Sequence, residues 1–452
     1  MALVYIKELK HHSKKEILEK LGNDEKILNK LLNYSFIKVE DDNQYVFDYV
    51  GVLIIGDLVI DVYPKYVPDD EDLEKIKNHY KQVIKVIKKD KSSNKKTKFE
   101  NKESEDTSFN LLSLMLFFIE DYYENGVYNS LQEVLEINGN GEIHWDRTIN
   151  NTYPILENNK PYYTELQTRY KMDNIYDYFR LLHEYIITEC SRYLEKHELL
   201  EIFSITPIEL SDKTLDNFGE RDIILEKIRK QLNVEYNTHK QKLLQSMYSY
   251  LSHKNPYNEE NFITNYGTTS FYDTWENVCC KVLGDKLDKP LGELKLPTKL
   301  KEEYYDSETT LIELIEKPKW NIGEEVFLPD KTLIPDLITI YKDEFRIYDA
   351  KYYLYKTKGD KIEKQPGIGS VTKQYLYELA YKDFIKKHEF KKVTNGFLFP
   401  KYEDGIEVRG YVELNMLSEM NLKNIQIIML PVKEAYDSYL NNRKIGKNNL
   451  EF

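Results

Sequence analysis

Two apolar runs rich in β-branched and aromatic residues flank a three-residue polar break. They read Leu337-Ile338-Thr339-Ile340-Tyr341, then Lys342-Asp343-Glu344, then Phe345-Arg346-Ile347-Tyr348. A short polar turn between two such runs folds them back on one another as an antiparallel hairpin. Pro335-Asp336 heads the first run and Asp349-Ala350-Lys351 closes the second, so the hairpin returns both acids to one end. Side chains alternate along a strand, which sends Asp349 and Lys351 to one face and Ala350 to the other. Two acids and a lysine placed this way suit a metal ion and an attacking water.

Hard oxygen ligands favour Mg²⁺, which is commonly held by one or two carboxylates together with water and phosphate oxygens. Mn²⁺ accepts the same donors. A phosphodiester is then the expected substrate, with Asp336 and Asp349 on the metal and Lys351 steadying or deprotonating the water. The tripeptide alone says little, because Asp24-Glu25-Lys26, Glu8-Leu9-Lys10, Glu293-Leu294-Lys295 and Glu389-Phe390-Lys391 share its acid-x-Lys form. Most such triplets are solvated charge pairs, and an exposed pair contributes almost nothing to stability. What distinguishes Asp349 is its place at the end of an apolar strand, thirteen positions after a Pro-Asp strand start.

Two further groups fit the same centre. Ser370 can cap a helix in which Val371, Tyr375, Leu379 and Ala380 recur at helical spacing, with Gln374 near the first turn. Upstream, Phe271, Trp275, Val278, Val282 and Leu283 form the apolar stripe of a helix that should stop at Gly284, and Glu276 stands beside the tryptophan. Glu276 is a candidate third metal ligand and Gln374 an assisting group.

Pro335-Asp336, Asp349-Ala350-Lys351 and Gln374 together resemble the core of the PD-(D/E)XK nuclease superfamily. More narrowly, Asp349-Ala350-Lys351-Tyr352-Tyr353, Gln365-Pro366-Gly367-Ile368 and Lys373-Gln374-Tyr375-Leu376-Tyr377 resemble the LlaJI-type restriction endonucleases, relatives of the McrC nuclease subunit. Val62-Tyr63-Pro64-Lys65-Tyr66 and Trp145-Asp146-Arg147-Thr148-Ile149-Asn150 extend the likeness outside the catalytic part. The resemblance implies metal-dependent cleavage of double-stranded DNA in a bacterial restriction, phage-defence system. It also implies an AAA+ GTPase partner of the McrB kind and a cognate DNA methyltransferase, with a homodimer as a further possibility. The chain has no Gly-x-x-x-x-Gly-Lys-Ser/Thr loop, so nucleotide hydrolysis would belong to another chain.

At 452 residues the chain is too long for one ordinary core. The expected class is multidomain α+β: a winged-helix-like module over 1–66, a lysine-rich linker over 67–107, a mainly helical middle domain over 108–255, and an α/β nuclease domain with a mixed sheet over 256–452. Ser13-x-x-Glu16 is a capping-box pattern, and Asp24 opens a second helix bearing Ile27, Leu28, Leu31 and Leu32. Two strand-like runs follow, giving the helix-helix-wing order. Asp90-Lys91-Ser92-Ser93-Asn94-Lys95-Lys96-Thr97-Lys98 lacks apolar periodicity and reads as a solvated loop. Helices are expected near 109–123, 177–194 and 225–251, and Asn255-Pro256-Tyr257-Asn258 marks the boundary of the nuclease domain. Late strands are expected at Gly396-Phe397-Leu398-Phe399-Pro400 and at Ile425-Gln426-Ile427-Ile428-Met429-Leu430-Pro431, then a last helix over 432–441.

No run approaches the roughly 20 apolar residues of a membrane helix, and the N-terminus lacks a signal pattern, so a cytoplasmic location is expected. The net charge of −13 does not favour DNA as a whole, which leaves contacts to a local basic groove. Cys190, Cys279 and Cys280 read as reduced, partly buried thiols, His183 as a core or boundary histidine, and Trp145-Asp146-Arg147 as a surface or interdomain ion pair rather than a second centre. Two other functions fit the residues: a self-sufficient site-specific endonuclease, and a non-catalytic DNA-binding subunit with a nuclease-like fold.

Overall fold

The computed structural model describes residues 2–40, 43–98, 111–253, 263–304, 308–354, 356–358, 361–363 and 365–445. The expected domain boundary at Asn255-Pro256-Tyr257-Asn258 lies outside the described residues. The fold is mixed α/β and divides into two compact units. One joins Met1–Ile54 and Leu58–Asp106 with Gly267–Phe452, and the other is Ile55–Asp57 with Thr107–Tyr266.

In the first unit, the opening strand Ala2–Lys7 runs parallel to Leu58–Tyr63, a pairing that its sequence did not announce. Between these strands lie helices Lys14–Lys20 and Glu25–Asn33 and the hairpin Ile37–Glu40/Gln44–Phe47, in the expected order. Ser13 and Glu16 close the capping box, and the Asp24 side chain accepts the Lys26 N–H. Leu73–Lys98 is one continuous helix, so the expectation of a solvated loop from Asp90 onward is corrected. Its first part buries Ile76, Tyr80, Val83, Ile84, Val86 and Ile87. Its later part mixes lysines, which are good helix formers, with poorer ones such as Ser92, Ser93, Asn94 and Thr97, and it extends a nucleus already made at little cost per residue. Gln82 and Lys89 donate to backbone carbonyls of Lys433 and Tyr439, which fastens this helix to the last one, Val432–Leu440.

The main sheet of this unit has five strands in the order Leu337–Tyr341, Glu344–Ala350, Lys392–Lys401, Ile425–Pro431, Glu407–Val412. The first pair is antiparallel, as the turn chemistry required, with Leu337 opposite Tyr348 and Tyr341 opposite Glu344. The next two pairings are parallel and the last is antiparallel, which makes the sheet mixed. Helix Ile368–Lys387 provides the crossover between the parallel strands at its centre. Its buried side includes Gln374 and Glu378, whereas Leu379 is 39% exposed. The expected stripe packs in its first half, where Val371 and Tyr375 are buried against Phe397 and Phe399, and leaves the core at Leu379. Strand carbonyls and Asn395 supply partners for Gln374 and Glu378, and these polar groups share the inner face with Val371 and Tyr375.

The second unit holds helices Leu111–Asn125, Tyr178–Lys196, Arg221–Leu232 and Thr238–His253 around Leu112, Leu182, Ile186, Leu244 and Met247. Expected as mainly helical, it also contains an antiparallel sheet in which Gln167–Asp173 lies between Leu131–Ile137 and Glu142–Ile143. His183 is fully buried, and its Nδ1 accepts the Tyr128 N–H at 3.0 Å, as befits a core residue. All three cysteines are free thiols. Among the described residues no helix is long and apolar enough to cross a membrane.

Candidate active site

The hairpin register decides the geometry. Because Leu337 pairs with Tyr348, the residue before one strand lies beside the end of the other, and Asp336 Oδ2 accepts the Ala350 N–H at 2.7 Å. Asp349 is 5% exposed, and its carboxyl group lies close enough to that of Asp336 to perturb it. Two carboxyl groups so close cannot both ionise without a cation between them. The Asp336 pKa is accordingly raised, first by burial and then by Asp349 and Glu276. Lys351 Nζ stands 2.7 Å from Asp349 Oδ1, but the contact is an ion pair without hydrogen-bond alignment.

Surrounding elements hold these groups in place. Lys351 donates its backbone N–H to the Leu398 carbonyl at 2.9 Å, and Trp275 Nε1 donates to the same oxygen at 3.2 Å. One acceptor thus ties the end of the lysine strand to helix Phe271–Leu283. The helix stops at Gly284, whose φ of +75° is the left-handed cap that glycine adopts without a Cβ penalty. Cys280 Sγ donates to the Asp336 carbonyl at 3.3 Å. The Asp285 carboxylate accepts from Lys286, Leu287 and Ile338 N–H groups and so fixes the start of the first hairpin strand. Tyr352, next to Lys351, donates its hydroxyl to Glu8, which also accepts the Lys65 N–H at 3.0 Å.

The sequence-predicted residues are placed unequally. Asp336, Asp349 and Lys351 come together. Glu276 is half-buried, and burial raises its pKa, with Asp273 and Asp349 adding to the effect. It therefore shares the field of the pair. Among the described residues, however, no three His, Cys, Asp or Glu side chains stand close enough to hold a metal by themselves. Gln374 is fully buried, and its amide nitrogen donates to the Ile347 and Gly396 carbonyls at 3.1 and 3.4 Å. It grips the backbone of the two central strands. Sequence reasoning missed Tyr377, one turn further along that helix, whose hydroxyl donates to the Ile334 carbonyl at 2.8 Å and anchors the approach to Pro335-Asp336. Its phenol is pushed up to about 12 by burial and then by Asp349, Asp336 and Glu276. Its i+3 spacing from Gln374 was the available signal.

The donor set fits a divalent ion of the Mg²⁺ kind. Asp349 Oδ1 is buried without a hydrogen-bond partner, and two carboxylates with solvent and phosphate oxygens satisfy such an ion without a third protein ligand.

The sequence model of the LlaJI restriction endonuclease family matches residues 49–433. The chain belongs to that family. As a member of the LlaJI family it is a component of a restriction system. It is 26% identical over 453 residues to the type II restriction enzyme BsuMI component YdjA of Bacillus subtilis (strain 168), covering 97% of this chain and 90% of that protein. Among solved structures, it is similar to a chain of the refined half-complex from the tetradecameric assembly of Thermococcus gammatolerans McrB AAA+ hexamers with bound McrC. The TM-score is 0.41 at 11% identity, with 98% of this chain and 99% of that chain covered. A chain of the Thermococcus gammatolerans McrBC complex gives a TM-score of 0.26 at 11% identity, covering 63% of this chain and 88% of that one.

Proposed function

We propose that this chain is the DNA-cleaving component of its restriction system, a Mg²⁺-dependent endonuclease of the PD-(D/E)XK type that hydrolyses phosphodiester bonds at Asp336, Asp349 and Lys351. The observation that carries the reading is the paired carboxyl groups at one end of the hairpin, with the buried, unbonded Asp349 Oδ1 beside the Lys351 ammonium. A bound divalent ion supplies charge neutralisation at the phosphate and a water acidic enough to attack. Asp336 and Asp349 would hold that ion, with Mn²⁺ an acceptable substitute for Mg²⁺. Lys351 orients the water and offsets the charge that develops on the phosphate. Glu276 contributes negative charge at the rim, and Gln374 keeps the two strands in register beneath the acids.

Family membership supports nuclease chemistry, and the name of the Bacillus relative, a component, supports action within a multi-chain enzyme. An AAA+ GTPase of the McrB kind is the proposed motor, since this chain carries no phosphate loop of its own. Double-stranded DNA is the proposed substrate, with a methyltransferase protecting the host's sites and the cytoplasm as the site of action.

The test is cleavage of duplex DNA by purified protein with Mg²⁺, with and without the GTPase and GTP, beside Asp349→Ala and Lys351→Ala. Each variant should fold and cut at least about a thousandfold more slowly. Undiminished cutting by both would remove the proposed centre, and wild-type cutting at discrete sites without a partner would favour a self-sufficient enzyme.

A further inference from the structure

A second polar site lies in the same unit, at the far end of the strand that Asp336 begins. The end of helix Phe271–Leu283, the segment after it, strand residues Thr339 to Tyr341 and the chain after the last helix enclose a recess. Lys286, Lys289, Lys295, Lys444 and Arg346 line it, with Glu293 as the single acid among its lining residues. Asp285, next to Lys286, is occupied by three backbone N–H groups, and the Arg346 guanidinium is shared with Glu344. Among the described residues, none of the four lysines has an acidic partner within ion-pair distance.

Packing like charges together without an anion is unfavourable. The Lys286 pKa is lowered, first by burial and then by Lys444, with Lys289 and Lys295 adding to it. A second, independent feature comes from Arg346, which is 4% exposed and whose Nε has no acceptor. A buried guanidinium donor left unbonded costs free energy that an incoming oxyanion would recover. Lys444 has a partial explanation in the fold, since its ammonium lies over Gly284 at the helix C-terminus, where a Cβ would come 2.3 Å from its Nζ. That explains one lysine of the four.

We propose that this recess is a phosphate-binding site that seats the backbone of the DNA being cut. The proposal rests on the nuclease reading above and extends it to a second point of contact. Thr339 to Tyr341 lie three to five residues beyond Asp336, roughly 10–17 Å along the strand. Phosphates on one DNA strand recur about every 3.4 Å of helix axis, so a duplex lying along this strand would seat a phosphate roughly three to five nucleotides from the cleaved bond. The contact reads no bases. It sets the register of the backbone against the aspartate pair and gives a net acidic chain a local cationic foothold.

The test uses the full-length protein in EDTA, a fluorescein-labelled duplex and a salt titration of affinity. Lys286→Gln/Lys289→Gln/Lys444→Gln should weaken binding on the order of tenfold to a hundredfold at about 0.1 M salt and lower the log–log salt slope by about 2 to 3. The same loss should appear on duplexes of unrelated sequence. The exposed pair Lys289→Gln/Lys295→Gln, which leaves every buried contact intact, should show a smaller loss of the same kind, and lysine-to-arginine versions should retain binding. Wild-type affinity and slope in both glutamine variants would overturn the proposal. Calorimetry with inorganic phosphate separates the sources. Phosphate binding that is lost in the triple variant while DNA binding is untouched would assign the recess to a free anion and overturn the DNA assignment. Asp349→Ala marks failure of the underlying reading, because it should bind DNA with the wild-type slope and fail to cut. If it cuts, the nuclease centre is wrong whatever the lysines do. If the wild-type protein binds no DNA, both proposals fall.

Discussion

Replacing Asp336 with asparagine should remove a pH dependence from the stability of the metal-free protein while ending its cleavage. Asp336 is buried against Asp349, and its folded pKa lies above the ordinary carboxylate value for that reason. Between the ordinary value and the raised one, the folded protein keeps a proton that the unfolded chain releases. Stability is therefore full at low pH and falls as pH rises through this window, the opposite sign to a carboxylate held by a salt bridge. Each pH unit crossed costs at most about 1.4 kcal/mol. Sharing of the proton between two carboxyl groups and partial access of water reduce the total to about 2–4 kcal/mol. Asparagine keeps an oxygen to accept the Ala350 N–H and offers an amide hydrogen to Asp349, so the geometry survives without the second charge. Thermal unfolding in EDTA from about pH 5 to about pH 9 should lower the wild-type melting temperature by roughly 2–4 °C. The variant should be much flatter and more stable at the alkaline end. Added Mg²⁺ should raise the wild-type melting temperature more at high pH, because binding displaces the shared proton, and should hardly move the variant. Parallel pH profiles for the two proteins would show that the carboxyl pair does not share a proton, and the argument for a waiting metal site would fail with it.

Other perturbations follow from particular contacts. Tyr377→Phe breaks the bond to the Ile334 carbonyl at a cost of about 1 kcal/mol; slower cleavage at unchanged DNA affinity, read by single-turnover kinetics, is the expected signature. Gln374→Leu withdraws the donor shared by the Ile347 and Gly396 carbonyls and should destabilise the protein by about 1–3 kcal/mol, measured by thermal shift. Asp285→Ala strands the N–H groups of Lys286, Leu287 and Ile338, the last at the start of the first hairpin strand, and should cost about 2–4 kcal/mol, with faster hydrogen exchange at Ile338 as the local readout. Tyr352→Phe removes the hydroxyl that Glu8 accepts; a loss of about 1–3 kcal/mol in a thermal melt is expected.

What was legible in the sequence was whatever a local pattern determines. The turn Lys342-Asp343-Glu344 and the flanking apolar runs gave the hairpin, and the hairpin brought Asp336 to Asp349. The stripe through Phe271, Trp275, Val278 and Val282, stopped by Gly284, gave the helix that carries Glu276. Contacts set by distant partners could not be read this way. Gln374 and Glu378 occupy the buried face of their helix because strand carbonyls, Asn395 and the Lys423 N–H receive them, and nothing near them in the sequence says so. The strand Leu131-Gln132-Glu133-Val134-Leu135-Glu136-Ile137 contains good helix formers and is a strand because Gln167–Asp173 pairs with it. In the lysine-rich stretch the error ran the other way: absence of an apolar stripe from Asp90 onward was read as loop, although a helix already nucleated by buried residues needs no stripe to continue.

The unit that carries the aspartate pair is written at both ends of the chain. The hydroxyls of Tyr66 and Tyr436 meet at 2.9 Å across 370 positions, and His79 bonds the first of them. Contacts of such sequence separation close slowly and late, and chains are made from the N-terminus at a finite rate. The opening strand, the Glu8 carboxyl that holds Tyr352, and the helix that clamps the last one must all wait, partly assembled, until residue 436 has left the ribosome. A chain interrupted before Tyr436 would lack the ring that packs edge-on against Trp275, and with it one support of the helix that carries Glu276.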